Sequence, residues 1–274
     1  MDRYAVIGNP IAQSKSPLIH AAFAKAHGHA LEYTTLLASA QTFDATVRGF
    51  IDEGGCGMNV TAPFKLQAFD LADSATERAQ RAGAVNAMKF EAGRIVADNF
   101  DGIGLVADIQ RNLGVALAGK RVLLLGAGGA TRGALLPLLE QGPARLVIAN
   151  RDVAKAEQLL AGIADAHRSD VVVARYADLA GERFDIVVNA TSASLNAELP
   201  PLAPQVFAPG CLAYELVYGR GLTPFLRLAR DAGATRLADG LGMLVEQAAE
   251  AFAWWRGVRP HTRAVIEKLT VPLV

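Results

Sequence analysis

Three observations predict an α/β fold built in two parts. Short apolar runs alternate with longer helical stretches, the pattern that parallel α/β architecture leaves in a sequence. The alternation comes as two series, divided by a polar turn within residues 99–112. One apolar run, residues 122–125, delivers the chain into a glycine turn that opens a helix. A length of 274 residues suits one large or two modest domains, and 51% hydrophobic with 20% charged residues leaves ample apolar surface to bury.

In the first series, residues 4–7, 32–36, 57–60, 85–90 and 94–97 read as strands, and 16–26, 41–52 and 65–71 as helices. In the second, residues 121–125, 145–149, 170–175, 184–189, 211–216 and 235–238 read as strands, with helices near 130–140, 154–164 and 224–232. Residues 243–269 are helical by periodicity, with a break at 257–260 where Gly257 and Pro260 stand. Pro200, Pro201, Pro204 and Pro209 mark a loop over the second part. Fixed-period repeats, low-complexity tracts and charge runs are absent from the sequence.

Composition narrows the function. Lys plus Arg and Asp plus Glu both number 27, so no global basic field exists to hold a nucleic acid or an anionic membrane surface. Cys56 and Cys211 form no CxxC or Cys/His spacing, and His27-Gly28-His29, the one close histidine pair, sits at an expected helix end and is predicted to be solvent exposed. No metal is implied. The start MDRYAVIGNP lacks a basic region before its apolar run, and no apolar stretch approaches the about 20 residues that span a bilayer. The expectation is a soluble, reduced, cytoplasmic protein with a small-molecule partner, as monomer or homodimer. No Gly-x-Ser-x-Gly elbow is present, which disfavours a serine hydrolase. Trp254 and Trp255 read as core or interface residues.

The glycine turn is Gly126-Ala127-Gly128-Gly129-Ala130. A pyrophosphate needs such a turn because the backbone must approach it closely, while the helix N-terminus offers free N–H groups and the positive end of its dipole. Thr131 takes the place of the third glycine of GxGxxG. After the next strand come Asn150-Arg151-Asp152-Val153-Ala154-Lys155. An NAD site commonly carries an acid there for the ribose hydroxyl. Arg151 and Lys155 suit a 2′-phosphate instead, which favours NADP, whereas Asp152 puts a negative charge nearby and keeps NAD possible. The same residues also read as a solvated helix start.

Lys65 is predicted in the first turn of a helix whose start is signalled by Thr61 and Pro63. A cation is disfavoured there by the helix dipole, which argues for a lowered lysine pKa. Asp101 of Asn99-Phe100-Asp101-Gly102 reads either as a helix cap or as a partner of Lys65, a pair able to move a proton beside a hydroxyl that becomes a ketone. Ser14 and Ser16 read either as a carboxylate site or as a helix start before Pro17.

Taken in order, VIGNPIAQSKSP, GMNVTAPFK, AGAVNAMKF, DNFDGIGL, LLLGAGGATRG, ANRDVAKAE, VVNATSASL, AYELVYGRGLTPFL and DGLGMLVEQAAEAF resemble the shikimate dehydrogenase family from residue 6 to about residue 255. The resemblance implies a catalytic α/β domain completed by C-terminal helices, residues 1–103 and 241–274, around a Rossmann domain, residues 104–240. It implies NADPH-dependent reduction of 3-dehydroshikimate to shikimate by hydride transfer to the C3 carbonyl carbon. Ser14, Ser16 and Tyr218 then match the substrate carboxylate site. Asn59, Thr61, Asn86, Asp101 and Gln247 match the ring-hydroxyl site, and Lys65 with Asp101 the catalytic pair. Gly126, Ala127, Gly128, Gly129 and Ala130 match the pyrophosphate loop. Asn150, Arg151 and Lys155 match the 2′-phosphate site, Leu216 and Gly240 the nicotinamide pocket, and Thr191 a further cofactor contact.

Three positions depart from the family pattern. Phe100 replaces the usual Thr, which predicts a missing hydroxyl and a bulkier substrate pocket; Asp152 replaces Thr after Asn150-Arg151; and Ser194 replaces a common Gly. An NAD-preferring quinate/shikimate dehydrogenase or paralogue is the nearest alternative, and a non-catalytic dinucleotide-binding module the alternative of another class.

Overall fold

The computed structural model describes residues 1–160 and 171–274. Two six-stranded sheets carry the chain. The first contains β1 (Asp2–Gly8), β2 (Leu31–Leu37), β3 (Gly55–Val60), β4 (Ser74–Ala75), β5 (Ala87–Glu91) and β6 (Arg94–Asp98), in the order β2-β1-β3-β5-β6-β4. The second contains β7 (Arg121–Leu125), β8 (Arg145–Ala149), β9 (Val171–Ala174), β10 (Phe184–Asn189), β11 (Phe207–Glu215) and β12 (Arg236–Asp239), in the order β12-β11-β10-β7-β8-β9.

The second sheet is parallel throughout, with the doubly wound order of a Rossmann fold. Its strands are apolar on both faces because helices cover both, so Val122, Leu123, Leu124 and Leu125 are all buried. The first sheet is mixed: β5 runs antiparallel to β3 and to β6. Only Ala92 and Gly93 separate β5 from β6, which leaves room for a hairpin turn and not for a crossover helix.

The helices are α1 (Ser16–His27), α2 (Phe43–Asp52), α3 (Lys65–Leu71), α4 (Glu77–Ala82), α5 (Asp101–Ala107), α6 (Gly129–Leu139), α7 (Val153–Leu160), α8 (Pro224–Asp231), α9 (Leu241–Arg256) and α10 (Arg263–Leu269). The expected continuation of α7 to residue 164, and residue 170 of the expected β9, lie outside the described residues. The short β4 and α4 were not expected from periodicity, since two strand residues and a six-residue helix are too few to establish one. The predicted break in the tail is real: Gly257 ends α9 in the left-handed region at φ 76°. Pro209 lies within β11, not in a loop; the pairing with β10 shifts register between Phe184 and Ile186, and that irregularity accommodates a residue without an N–H. His27 and His29 are half-buried rather than exposed, and His29 Nδ1 accepts a hydrogen bond from Arg256 Nε at 3.2 Å. No described helix is long and apolar enough to cross a membrane.

Helix α5 joins the two sheets and is clamped on two sides. A Cβ added at Gly102 would lie 2.3 Å from the Gly133 carbonyl oxygen of α6, and one at Gly104 would lie 2.8 Å from the backbone nitrogen of Gln247 on α9. The DNFDGIGL segment therefore carries glycines because backbone must approach backbone on both faces. Beyond α5, Asp108–Asn112 form a π-helical turn. There Asp108 accepts hydrogen bonds from Tyr214 Oη at 2.6 Å and Asn112 Nδ2 at 2.9 Å, and burial pushes its pKa up.

Two glycine substitutions should shift stability in opposite directions. Gly102→Ala should lower the free energy of urea unfolding by about 2 kcal/mol, because backbone of α6 must move. Gly49→Ala, within α2 and with nothing near its added methyl, should raise it by about 0.5–1 kcal/mol. A neutral Gly102→Ala would contradict the clamped placement of α5.

Candidate active site

The candidate residues fall at the carboxyl ends of strands, where an open α/β sheet leaves its crevice. In the first sheet, β3 ends with Asn59 and Val60 and leads to Thr61, while β6 ends at Asp98 and leads to Asn99, Phe100 and Asp101. Antiparallel β5 begins at the same edge, directly after Asn86. In the second sheet, β7 leads into Gly126, β8 into Asn150, β10 into Thr191, β11 into Leu216 and β12 into Gly240.

At the centre, Lys65 Nζ donates to Asp101 Oδ2 at 2.5 Å, with the lysine side chain 15% and the aspartate 6% exposed. Lys65 opens α3, as its position in the sequence predicts, but the preceding Phe64 is the cap residue and no side chain caps the helix. The unfavourable helix dipole is met by the full counter-charge of Asp101. Asp101 is not a cap: it is the first residue of α5, and its second oxygen, Oδ1, accepts from Asn86 Nδ2 at 2.9 Å. Asn86 Nδ2 also donates to Gln247 Oε1 at 3.1 Å, and its Oδ1 accepts from the Phe100 N–H at 2.8 Å. Asn59 Nδ2 donates to the Asn86 carbonyl at 3.2 Å. Asn59, Asn86, Asp101, Gln247 and Lys65 thus form one connected polar cluster, although α9 brings Gln247 from 161 residues beyond Asn86.

Ser14 and Ser16 flank Lys15, whose backbone meets Tyr218 from the second part of the chain. Ser14 Oγ accepts from the Ser16 N–H at 3.3 Å, and Ser16 is buried. Helix α1 starts at Ser16 with Lys15 as its uncapped cap residue, so neither serine serves as an ordinary helix cap. Tyr218 lies against the Lys15 backbone; burial raises its pKa and that backbone contact partly offsets the rise. The neighbouring Gly219 sits next to the Lys15 ammonium, which donates to the Leu269 carbonyl at 3.1 Å.

The glycine turn faces Lys65: a methyl group added at Gly129 would lie 3.5 Å from the lysine side chain. Gly126 has φ +103°, and a Cβ there would come within 3.1 Å of Thr191. Gly128 and Gly129 present the amino end of α6, and nothing lies within 4 Å of a Cβ added at Gly128. Thr131, in the third-glycine position, is buried and donates through Oγ1 to the Gly126 carbonyl at 3.0 Å, so the variant residue ties the turn together. Arg151 and Lys155 are exposed beside it. These features fit a dinucleotide: an open backbone cradle, a helix amino end and two cations at the end of the second Rossmann strand. Gly240 packs so tightly that an added Cβ would meet the Leu216 carbonyl at 2.1 Å.

Of the three departures from the family pattern, Phe100 alone runs against expectation. The Phe100 ring does not bulk the cleft; it is buried with Tyr4, Ala87, Ala251 and Trp255, edge-on to Trp254 and under the Arg78 guanidinium at 5.1 Å. Asp152 Oδ1 accepts from the Lys155 N–H at 3.4 Å, so its carboxylate is directed to the start of α7. Ser194 donates to Glu215 Oε2 at 2.5 Å. Glu215 escaped the sequence reading because it looks like one more strand residue, yet it is fully buried. It also accepts from Asn189 Nδ2 at 3.0 Å, Thr223 Oγ1 at 3.2 Å and the Val217 N–H at 3.3 Å. Burial raises its pKa, and the hydrogen bonds, that of Ser194 foremost, hold the rise back.

Comparison with known proteins agrees with this geometry. Residues 6–88 match the family description "Shikimate dehydrogenase substrate binding domain", residues 108–197 "Shikimate / quinate 5-dehydrogenase" and residues 240–270 "Shikimate 5'-dehydrogenase C-terminal domain". Shikimate dehydrogenase (NADP(+)) of Nitrosospira multiformis is 56% identical, covering 98% of this chain and 97% of its own. Among solved structures, an Ael1 enzyme from Pseudomonas putida is 64% identical with TM-score 0.93, covering 100% of both chains. Shikimate 5-dehydrogenase from Thermus thermophilus, in complex with NADP(H) and shikimate, is 30% identical with TM-score 0.85, covering 97% of this chain and 98% of its own. The chain belongs to the shikimate dehydrogenase family.

Proposed function

We propose that this chain is an NADP-dependent oxidoreductase that reversibly reduces 3-dehydroshikimate to shikimate. The observation that carries the reading is the buried Lys65–Asp101 ion pair lying against Gly129 of the dinucleotide-type turn. Residues 1–103 and 241–274 form the substrate half, and residues 104–240 the cofactor half.

NADPH, when bound, supplies the hydride that reduces the C3 carbonyl carbon. The chain's residues do the rest. Lys65 holds a proton at Nζ and delivers it to the C3 oxygen, and in the reverse direction takes it from the hydroxyl. Asp101 keeps Nζ aimed, with Oδ1 fixed by Asn86 so that Oδ2 remains for the lysine. Ser14, Ser16 and Tyr218 bind the substrate carboxylate; Asn59, Thr61, Asn86, Asp101 and Gln247 bind the ring hydroxyls. Residues 126–130 hold the pyrophosphate through backbone N–H groups, and Asn150, Arg151 and Lys155 hold the 2′-phosphate. Thr191, Leu216 and Gly240 line the nicotinamide side. The use of Asp152 within its own helix start supports NADP over NAD, because its charge is directed to backbone.

Initial rates of nicotinamide absorbance with shikimate or quinate, each with NADP or NAD, test the function. Shikimate with NADP should lead every other combination by about tenfold or more. A leading quinate or NAD rate would assign the chain to the NAD-preferring paralogue, and no activity in any combination would contradict the enzyme reading. On the cofactor side, Arg151→Ala should raise KM for NADP about tenfold while leaving KM for NAD nearly unchanged, since only the 2′-phosphate loses its partner. An equal rise for both would place Arg151 elsewhere on the nucleotide.

A further inference from the structure

Two of the buried carboxylates that the proposed mechanism does not use, Asp98 and Glu246, are paired with arginines, Arg78 and Arg259, each at 2.6 Å. Glu215, at the end of β11, is held by neutral donors instead, and these come from two different loops. Its Oε2 accepts from Asn189 and from Ser194 in the loop after β10, as well as from Thr223, while Oε1 accepts from the Val217 N–H in the turn after β11. The Asn189 amide carries the constraint onward. Its Oδ1 accepts from the Thr191 N–H at 3.1 Å and from Thr191 Oγ1 at 2.7 Å. A backbone N–H only donates, so this amide cannot turn over, and its Nδ2 stays on Glu215. Asn189 and Glu215 are also register partners across β10 and β11, and the Asn189 carbonyl accepts from the Leu216 N–H at 3.0 Å. The pair therefore stands where the Thr191 loop and the Leu216 turn leave the sheet.

Packing alone does not call for a carboxylate here, since an apolar side chain would avoid the cost of taking it out of water. We propose that Glu215 is a positioning residue for the nicotinamide end of the cofactor: it ties the loop after β10, through Asn189 and Ser194, to the turn after β11, through the Val217 N–H, and so fixes Thr191 and Leu216 relative to each other. The proposal rests on the NADP reading of the site. It makes a specific demand of the side chain, which must accept at both oxygens. A glutamine has nearly the same shape but presents N–H groups at one of the two positions. That nitrogen would face either the Val217 N–H or the Asn189 amide nitrogen, which cannot turn away, so one of the two loops loses its anchor.

The test is Glu215→Gln in the full chain, with titration calorimetry of NADP and of 2′-phospho-ADP-ribose, which keeps both phosphate sites and lacks the nicotinamide, alongside steady-state kinetics. Expected are a rise of about tenfold in the NADP Kd, a fall of about tenfold in kcat, and a 2′-phospho-ADP-ribose Kd within about twofold of wild type. Ser194→Ala, which removes one donor and keeps the carboxylate, should shift the same quantities in the same direction by about threefold, and it decides the matter by the same split between the two ligands if Glu215→Gln does not fold. An NADP Kd and kcat equal to wild type would overturn the proposal and leave the function standing. Equal losses of affinity for both ligands would make Glu215 a general support of the second sheet and also overturn it. A wild-type protein that binds neither ligand would overturn the NADP reading and this proposal together.

Discussion

The ion pair between Lys65 and Asp101 joins two elements that the sequence keeps 36 residues apart, and its geometry depends on where the first turn of α5 lies. That turn has little freedom. Gly102 and Gly104 let α6 and α9 close on α5 from either side, Asn99 Oδ1 accepts from the Asp101 N–H at 3.1 Å, and Asn99 Nδ2 donates to the Ala84 carbonyl at 2.9 Å. A buried ion pair tolerates little slack, since each charge has left water and depends on its partner. The surrounding glycines, asparagines and Gln247 are the means by which this chain keeps the pair in register.

The same placement brings the two sheets to one cleft. Both present their carboxyl edges to it, and the glycine turn of one comes into contact with the lysine of the other. In the family reading, a hydride donor and a proton donor must meet at the two ends of one carbonyl, and that juxtaposition suits the task. On the cofactor side, Glu215 plays a role in the loops comparable to that of Asn86 in the cluster: one buried acceptor gathers Asn189, Ser194, Thr223 and the Val217 N–H. Four donors compensate a carboxylate that burial would otherwise leave exposed to a large desolvation cost. Its Ser194 partner stands where the family often has glycine, so this chain adds a donor to the node.

Much of this was legible in the residues, and the reasons are specific. The second sheet was readable because a parallel strand buried on both faces is a continuous apolar run, and because the glycine turn marks where one such run ends. Lys65 and Asp101 were readable because each is a charge at an element start. The mixed order of the first sheet was not, since periodicity carries no strand direction. Phe100 was misread because a motif position says which residue is present and not which way its side chain leaves the backbone; here the ring turns into the core under Arg78.

In the proposed mechanism Lys65 and Asp101 act as one unit, and a double-mutant cycle on turnover tests this most directly. Lys65→Ala and Asp101→Asn should each lower kcat by about a hundredfold or more, and the double variant should fall little below the worse single, because removing either member already disables the pair. Losses that multiply in the double variant would mean that the two side chains act independently, and would contradict the claim.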